Sequence, residues 1–367
     1  MALETLSQKR LNRALLARQM LLEREDLPPL QVIERLVGMQ AQQPQPPYVG
    51  LWTRLEGFTR PALSQLLHDR QVVRATTLRG TLHLMTAGDY LAFRGALQPG
   101  LSAGMRAILK ERGEALDIPG LVAEARRHFD ASPSTFTNLR AALVASFPDL
   151  DERAMGYAVR THLPLVSVPD ESAWGYRADT NFAVAEGWLG QAPSISERPH
   201  DLVLRYLAAF GPATAADVQT WSGLAGMKAV LEELRPQLQT FRDERNRELF
   251  DLPDAPLPPE DTPAPVRFLP GFDNVILSHA DRTRIIADEH RPRVTSKNLL
   301  VAPTILIDGV VAGVWKCTLA KKVATLKVTP FIPPSAAVKK QLTKEGEKLA
   351  RFIEPEARSH AVEFEAI

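Results

Sequence analysis

The hydrophobic spacing of this chain changes at a segment rich in proline and acidic residues, 251–265. Before this segment, apolar residues recur with a helical period, and pairs of short β-like runs follow the helices. After it the helical period is lost, and short runs of β-branched and apolar residues predict strands. Asp308-Gly309, between two of these runs, is a strong signal for a tight hairpin. The change of period therefore predicts a linker between a helical region and a small β-rich one.

The helical region has an internal order that recurs three times. Several predicted helices are followed by two short strands, and the first strand pair flanks Leu78-Arg79-Gly80 in a hairpin. Helices followed by a two-stranded ribbon are typical of the winged helix-turn-helix. The sequence thus predicts a mainly α fold with β, made of three tandem winged helices, a C-terminal region that forms a small β-barrel or a curled sheet, and a last helix. The expected bounds are 4–98, 119–188 and 198–253 for the winged helices, 265–332 for the barrel and 337–353 for the helix.

Composition restricts the class of protein. The chain has 367 residues, 45% hydrophobic and 24% charged, which is typical of a globular protein with more than one domain. The formal net charge is +1, so any nucleic-acid surface must be a local basic patch. A single cysteine, Cys317, excludes an internal disulfide and a cysteine-based zinc site. The first residues do not resemble a signal peptide, and no apolar run is long enough to span a membrane. We therefore expect a cytoplasmic protein, without a membrane partner and monomeric.

A cluster of glutamines is the most unusual local feature. Four glutamines lie in the six positions 40–45, and three prolines lie in the stretch 44–47. A helix opened by Pro28-Pro29 is expected to end near the glutamines, because proline has no amide donor and disfavours helix in the residue before it. A carboxamide has a donor and an acceptor and no charge, so Gln40 and Gln42 suit the orientation of a water molecule without titrating. The alternative is a polar helix end followed by a solvated loop. Composition alone favours this alternative, whereas the apolar residues on both sides of the stretch count against a freely solvated loop.

Basic residues cluster in the first predicted wing and in the β-rich region. Arg79 lies in the wing, and Lys321 and Lys322 lie in a predicted hairpin of the last domain. Charges on ribbons usually mark solvated faces. Combined with three winged helices and a net charge near zero, we interpret these residues as phosphate contacts on a concave surface. Thr81 and His83, in the same wing, are counted with them as candidate DNA contacts. For His83, a position packed between its apolar neighbours is an equal alternative.

Few other motifs indicate chemistry. Asp288-Glu289-His290 is the densest ligand-like triplet, but adjacent residues on a strand point to opposite faces, so a solvated loop is favoured and no metal site is predicted. No cofactor is expected, because the chain has neither a glycine-rich phosphate loop nor a His-Glu-x-x-His zinc motif. Polar residues interrupt apolar runs in Leu269-Pro270-Gly271-Phe272-Asp273 and in the segment 278–284. These suit either a salt-bridged rim or a phosphate contact, and the structural interpretation is favoured.

Several short motifs are spread over nearly the whole chain, from about residue 6 to residue 352. They are Gln40-Ala41-Gln42, Leu78-Arg79-Gly80-Thr81-Leu82-His83, Arg205-Tyr206-Leu207, Phe210-Gly211-Pro212-Ala213-Thr214, Trp221-Ser222-Gly223, and Leu269-Pro270-Gly271-Phe272-Asp273 through Asp281-Arg282. In this order they resemble the bacterial winged-helix DNA glycosylases of the AlkZ/YcaQ type. The resemblance implies three tandem winged helices and a C-terminal β-barrel around duplex DNA. It also implies a catalytic Gln-apolar-Gln motif, matched here by Gln40 and Gln42, in the branch linked to self-resistance against DNA-alkylating natural products.

The residue types can be tested against that chemistry. Glycoside cleavage normally uses two carboxylates, one as the acid and one as the base or nucleophile. Two glutamines transfer no protons, so they suffice only when the leaving group departs readily, as a positively charged N7-alkylated purine does. They would hold water near C1′ and stabilise an oxocarbenium-like sugar. The sequence therefore predicts a monofunctional DNA glycosylase that removes N7-alkylated purines, including bulky adducts or interstrand crosslinks, from double-stranded DNA in base excision repair or self-resistance. The alternatives are a non-catalytic winged-helix DNA-binding protein or regulator, and a scaffold whose barrel binds protein.

Overall fold

The computed structural model describes residues 3–365. Within this range the α-helices are α1 (Gln8–Arg18), α2 (Pro29–Arg35), α3 (Gln45–Arg54), α4 (Arg60–His68), α5 (Ala87–Leu109), α6 (Ile118–Ala131), α7 (Phe136–Ser146), α8 (Glu152–His162), α9 (Ala185–Leu189), α10 (His200–Phe210), α11 (Ala215–Ser222), α12 (Met227–Leu234), α13 (Asn274–Leu277), α14 (Arg291–Val294) and α15 (Ala336–Ile353). The β-strands are β1 (Thr5–Leu6), β2 (Met39–Gln40), β3 (Val72–Thr76), β4 (Leu82–Thr86), β5 (Leu165–Ser167), β6 (Phe182–Val184), β7 (Gln239–Asp243), β8 (Glu248–Asp251), β9 (Arg267–Leu269), β10 (Thr304–Ile307), β11 (Val310–Ala320), β12 (Val323–Pro330) and β13 (Ser359–Phe364). The fold is therefore a mixture of helices and antiparallel ribbons.

Several helix starts follow directly from side chains at the N-cap. The Ser7 hydroxyl accepts a hydrogen bond from the amide of Arg10 at the start of α1, and Thr86 caps α5 in the same way. At α11, Thr214 and Asp217 form a reciprocal capping box, as the Thr-x-x-Asp spacing in the sequence indicates. The same α5 contains Gly-x-Ser-x-Gly at residues 100–104. That run is helical and not a strand-to-helix turn, so it is not a nucleophile elbow.

The first two ribbons belong to one sheet. Its strand order is β2-β4-β3-β5-β6, with every neighbouring pair antiparallel. The contact between β3 and β5, at Ala75 and Val166, joins the first helical unit to the second. Such a shared sheet buries both units against one another. It also fixes β2, which carries Gln40, at the edge of the sheet.

The third ribbon is completed by the N-terminal strand. β7 and β8 are antiparallel, and β1 adds to β7 in parallel, so residues far apart in sequence share a three-stranded sheet. Trp221, on α11, is fully buried in the largest core, next to the stacked aromatic rings of Tyr206 and Phe210 on α10. This core also contains residues of α1, β3 and β4. The third unit is thereby packed directly against the first.

The C-terminal sheet is open, so the predicted β-barrel at 265–332 is wrong. Its order is β13-β12-β11-β10-β9, and the two edge strands do not pair with one another. The inner face is instead covered by α15, whose Leu342 and Leu349 pack against Phe268 and Leu326 of the sheet. A helix that covers the apolar face removes the need for barrel closure. The last helix was predicted, whereas β13, after it, was not.

The C-terminal region contains one helix where strands are expected and one turn that the sequence predicts. The apolar run at 275–277 belongs to the part of the chain where short strands are expected, but it forms the short helix α13, because the Asp273 carboxylate caps it by accepting from the amide of Val275. The Asp308-Gly309 hairpin is confirmed, with φ of 46° and 80° at the two turn residues. Within residues 3–365, no helix is both long and apolar enough to cross a membrane.

Candidate active site

The backbone before the glutamines turns sharply instead of continuing as a helix. α2 ends at Arg35, and Val37 and Gly38 then adopt positive φ angles of 53° and 97°. The predicted helix to Gln42 is therefore wrong. A Cβ at Gly38 would lie 2.9 Å from Cγ of Met85 and 3.0 Å from the carbonyl oxygen of Leu84, so this turn requires glycine. The turn delivers Gln40 to the sheet edge in extended conformation.

The glutamine stretch is held against β4. Gln40 is paired with His83 in the antiparallel ladder, and the amide of Ala41 donates to the carbonyl of Leu82 at 2.7 Å. One residue further, Oε1 of Gln42 accepts from the amide of Leu82 at 3.3 Å. Gln40 therefore ends an extended strand and lines the cleft described below, whereas Gln42 lies in the bend that follows, exposed and held by the backbone of β4.

Arg79 fixes the carboxamide of Gln40. This residue lies in the turn between β3 and β4 with a left-handed φ of 55°. Its Nη2 donates to Oε1 of Gln40 at 3.1 Å, and its Nη1 donates to the carbonyl of Trp221 at 2.5 Å. Because Oε1 accepts from a guanidinium, the orientation of the Gln40 amide is determined, and its NH₂ group points away from Arg79. Burial lowers the pKa of Arg79 to about 10, so the side chain remains a cation at neutral pH.

A second arginine holds the backbone between the glutamines. Arg74, on β3, is buried, and its Nε donates to the carbonyl of Ala41 at 2.8 Å. Its Nη2 lies 3.4 Å from the carbonyl of Gln42, and its guanidinium lies over the ring of Tyr176, 4.9 Å from the centroid. Burial lowers the pKa of Arg74. Arg74 therefore supports the glutamine segment from inside the protein and presents little surface to DNA.

His83 is fully buried beside Gln40. Its Nδ1 lies 3.1 Å from the carbonyl of Thr81, which identifies Nδ1 as the protonated nitrogen, and the buried Nε2 has no hydrogen-bond partner among residues 3–365. Burial and the nearby Arg79 cation lower the pKa of His83 to about 3, so the ring is neutral at pH 7. The side chain has no exposed surface, so His83 occupies the packed position that the sequence leaves as an alternative to a DNA contact.

The segment 269–274 crosses behind the glutamines. Asp273 forms two 2.9 Å hydrogen bonds with Arg54 of α3, and both side chains are almost completely buried. Asn274 donates from Nδ2 to the carbonyl of Gly38 at 3.1 Å, while its buried Oδ1 has no partner within the described residues. Further along, Asp281 binds Arg245 and Arg247. These contacts support the structural interpretation of the polar motifs, because the contacts link the C-terminal region to the glutamine turn.

Gln40 lies in the wall of a large cleft of about 790 Å³, within the range of pockets that bind small molecules. Gln40 also borders a water-sized cavity behind it, which Asn274 and Arg54 line as well. The residues that line the cleft come from the first, third and C-terminal regions. They are Gln40, Arg79, Thr81, Thr220, Phe272, Leu277, Arg282, Asp288, Arg291, Pro292, Thr295, Leu299 and Val301.

The cleft is positively charged. Burial lowers the pKa of Arg79 most, and the nearby Arg282 cation lowers it further. Burial and then the Arg291 cation lower the pKa of Arg282. Asp288 is the one carboxylate in the lining, and it pairs with Arg291 at 3.3 Å. Three guanidinium groups against one carboxylate attract polyanions. A cleft with this charge and with the neutral carboxamide of Gln40 in its wall is typical of a protein that binds a polyanion, as nucleic-acid enzymes do.

The other predicted contacts lie in two places. Thr81 lines the cleft beside Arg79, and its hydroxyl donates to the carbonyl of Leu78 at 3.2 Å. Lys321 and Lys322 form the two-residue turn between β11 and β12, both exposed and with φ of 50° and 64°. These lysines are not among the cleft residues. The structure thus brings together Gln40, Arg79 and Thr81, while the lysines occupy the tip of a separate long hairpin.

Sequence reasoning missed several residues of this site. In the sequence, Arg74 is one of several basic residues with nothing to distinguish it. Its role depends on a contact with Ala41 that forms only in the folded chain. Asn274 directly follows a recognisable motif, but its hydrogen bond to Gly38 joins residues 236 positions apart. Phe272 lines the cleft with a left-handed φ of 61°, which nothing in the local sequence indicates.

Comparisons with known proteins identify the family of the whole chain. The family described as "DNA glycosylase AlkZ-like" matches residues 33–352. The "Interstrand DNA cross-link repair glycosylase" of Streptomyces sahachiroi is 26% identical over 350 residues, which cover 87% of this chain and 89% of that protein. The solved structure of "Streptomyces sahachiroi DNA glycosylase AlkZ" has a TM-score of 0.79 and 22% identity, and the match covers 98% of this chain and 100% of that one. Because the family match spans most of the chain, this protein belongs to the AlkZ-like DNA glycosylases, enzymes that act on N-glycosyl bonds in DNA. The resemblance predicted from the sequence is confirmed.

Proposed function

We propose that this glycosylase hydrolyses the N-glycosidic bond of N7-alkylated purines in double-stranded DNA, with Gln40 and Gln42 as its catalytic residues. One observation carries the proposal: the glutamine that faces the cleft is neutral, and the one carboxylate in the cleft lining, Asp288, is exposed and paired with Arg291. A glycosidase that must protonate its leaving group uses a positioned carboxylic acid. The lining offers none beside Gln40.

The chemical class of the substrate follows from the lack of a carboxylic acid beside Gln40. Alkylation at N7 gives the purine a formal positive charge, so the base departs as a neutral molecule without an added proton. The enzyme then has to hold the sugar and the attacking water in a reactive geometry, with the water directed toward C1′. It also has to stabilise the positive charge that develops on the sugar. Normal bases lack the charge and are expected to resist. Among residues 3–365 no lysine lines the cleft, so a Schiff-base lyase step is not proposed, and the proposed product is an intact abasic site.

Each carboxamide has a defined role in this proposal. Oε1 of Gln40 accepts from Arg79 and Oε1 of Gln42 accepts from the amide of Leu82, which leaves one lone pair on each oxygen and both NH₂ groups for substrate and water. The remaining lone pairs face the developing oxocarbenium ion and a proton of the attacking water. Fixed dipoles of this kind stabilise the transition state without reorganisation.

Bulky lesions are part of the proposed substrate range. The relative from Streptomyces sahachiroi is named as an interstrand DNA cross-link repair glycosylase. We extend that activity to this chain because a cleft of about 790 Å³ is larger than a single purine requires. The proposed biological setting is base excision repair or self-resistance in the cytoplasm. This compartment contains the DNA substrate, and its reducing conditions are compatible with a chain that has a single cysteine.

The proposed DNA surface combines two groups of cations. Arg79 has further N–H donors for a phosphate beside Thr81 in the cleft, and the Lys321–Lys322 turn supplies a second, exposed contact. In this proposal the units 4–98, 119–188 and 198–253 act as winged-helix modules. The three ribbons β3–β4, β5–β6 and β7–β8 support that assignment, and the enzyme acts as a monomer.

The test is single-turnover excision from a duplex with one N7-methylguanine, in which abasic sites are revealed by alkali. We expect Gln40→Ala and Gln42→Ala each to lower the rate constant by about 10²-fold, the scale for loss of an aligned polar group at a transition state. Gln43→Ala is the control for an exposed glutamine of the same stretch. Gln42 is also exposed and outside the cleft lining, but the amide of Leu82 holds its Oε1, whereas Gln43 borders the neighbouring pocket. Binding, measured by anisotropy, should change little. Full activity in both Gln40 and Gln42 variants, or a wild-type protein that binds without excising, contradicts the proposal.

A further inference from the structure

The rim of the cleft carries two exposed leucines at the tip of the loop 295–301. Leu299 and Leu300 are 77% and 56% exposed, although leucine is normally buried. Leu299 lines the same cleft as Gln40, and Leu300 lines the neighbouring pocket that Gln43 borders. The two side chains therefore stand on the ridge between the cleft and that pocket.

Hydrogen bonds make this tip compact. Thr295 and Val301 form an antiparallel bridge at its base, and the amide of Ala302 donates to the carbonyl of Val294 at 2.9 Å. Inside the tip, Ser296 takes part in three contacts: its amide donates to the carbonyl of Leu300, its carbonyl accepts from the amide of Leu299, and its hydroxyl accepts from the amide of Leu300. The leucines are consequently held outward by the backbone and do not collapse onto the protein.

The backbone of the tip is unfavourable for the residue that it carries. Leu299 has φ of 58°, in the left-handed region that leucine rarely adopts. A loop with no role for an apolar side chain would accommodate glycine or asparagine at this position at lower conformational cost. An exposed leucine in a strained conformation therefore indicates a side chain that contacts something outside the chain.

The charges around the tip identify that contact. Lys297 is exposed within the loop, and Arg291 and Arg293 lie on α14 just before it. Apolar side chains flanked by cations on the rim of a cleft in a DNA glycosylase match the stacked bases and phosphates of a duplex. Proteins that unstack DNA insert leucine, isoleucine, methionine or phenylalanine between base steps, and enzymes that act on a base displace its nucleotide from the stack.

We propose that Leu299 and Leu300 form a wedge that enters the base stack next to the damaged nucleotide and fills the space it leaves when it moves toward Gln40. The inference rests on the proposed location of the chemistry at Gln40. It assigns the apolar tip a function separate from phosphate binding. The wedge stabilises the displaced nucleotide by contact with the neighbouring bases, and no charge is involved.

The variant that tests the wedge is Leu299→Gly combined with Leu300→Ala. Glycine suits the positive φ at position 299, so the tip keeps its backbone. Ile195→Ala is the matched control, because Ile195 is an apolar residue 94% exposed in a loop that does not line the cleft. Leu300→Ala alone serves as a second variant, since it leaves the strained residue intact.

Two readouts are measured on a duplex that contains a tetrahydrofuran abasic analogue next to 2-aminopurine. Binding of the wild type should raise 2-aminopurine fluorescence by unstacking the base, and the double variant should lose this rise and bind about 10-fold more weakly. The dependence of affinity on salt should be unchanged, because no cation is removed. Single-turnover excision of N7-methylguanine should fall by a similar factor.

The outcomes separate the wedge from the proposed reaction. Equal fluorescence and affinity in the double variant and the wild type overturn the wedge, whether or not the enzyme excises. A wild type that fails to excise but shows a leucine-dependent fluorescence rise supports the wedge and contradicts the proposed substrate. If light scattering instead shows a dimer that the double variant abolishes, with unaltered DNA signals, the leucines bind a second copy and the inference is wrong.

Discussion

Arg79 donates to Oε1 of Gln40 at 3.1 Å and, through its other terminal nitrogen, to the carbonyl oxygen of Trp221 at 2.5 Å. One guanidinium thus connects the candidate catalytic glutamine to α11, a helix of the third unit. A Cβ at Gly223, just beyond α11, would lie 3.3 Å from Cα of Arg79, so close packing holds the same contact. The orientation of Gln40 therefore depends on how the third unit packs against the first.

The first prediction is energetic coupling between these two side chains. Arg79→Met should lower single-turnover excision at saturating enzyme by about 10-fold, since the Gln40 amide loses its fixed orientation. In a Gln40→Ala background the same change should have little further effect on the rate constant. The resulting coupling free energy of about 1–2 kcal/mol is measured by a double-mutant cycle. Arg282→Met, which removes another cation of the cleft, is the control and should be additive with Gln40→Ala.

The second prediction concerns the support of the glutamine segment by Arg74. Arg74→Met keeps most of the side-chain volume but removes the donors to the carbonyls of Ala41 and Gln42. A buried carbonyl left without a partner costs about 1–3 kcal/mol, so urea unfolding should show a loss of this size. Excision should also fall, because Gln42 is no longer held. Tyr176→Phe preserves the ring beneath the guanidinium and should leave both properties near wild type; a large effect there would point to the tyrosine hydroxyl instead.

The third prediction separates phosphate contacts from the site chemistry. The Lys321–Lys322 turn has two positive φ angles, a geometry in which Asn-Gly is preferred. Lys321→Asn with Lys322→Gly therefore removes two charges while it favours the turn. If both lysines bind phosphates, the slope of log K against log salt should decrease in magnitude by about 1.8 units, and excision at saturation should stay unchanged. Lys348→Gln on α15 is the charge control. Identical slopes for all proteins would place the lysines on a solvated face.

Local signals in the sequence predicted much of this molecule. The Asp308-Gly309 turn, the capping box at Thr214 and the last helix all depend on residues within a few positions of one another. The Gln40–Gln42 pair was recognisable for the same reason. Its conformation was not, because it depends on Gly38 and on pairing with β4, which lies about 40 residues further along the chain.

The sheet topology could not be predicted from local pattern. Strands of β-branched residues indicate a sheet but not whether it closes, and closure here is prevented by α15 and by β13, which follows the helix. The contacts that build the site have the same origin. Arg54 and Asp273 are 219 positions apart, and each is an ordinary charged residue in its own segment. Only the folded chain shows that they form a buried pair beneath the glutamine turn.

The last prediction is the pH dependence that His83 gives to stability. Burial and Arg79 lower its pKa to about 3 in the folded protein, whereas an exposed histidine has a pKa of about 6.5. Between these values the unfolded chain binds a proton that the folded one does not, so the stabilisation is present above pH 6.5 and is lost as pH falls toward 3. His279, fully buried and also with a pKa lowered to about 3, adds to the same loss.

His83→Gln should reduce this acid sensitivity. Glutamine does not titrate, so the free energy of unfolding of the variant should fall less steeply between pH 6.5 and pH 4, by up to about 1.4 kcal/mol per pH unit. Near pH 7.5 the variant should be less stable than the wild type, because the amide replaces a packed ring that bonds to Thr81. Urea unfolding at four pH values measures both effects. Parallel curves across this range would mean that His83 takes up its proton without unfolding, which requires the ring to reach solvent beside Gln40.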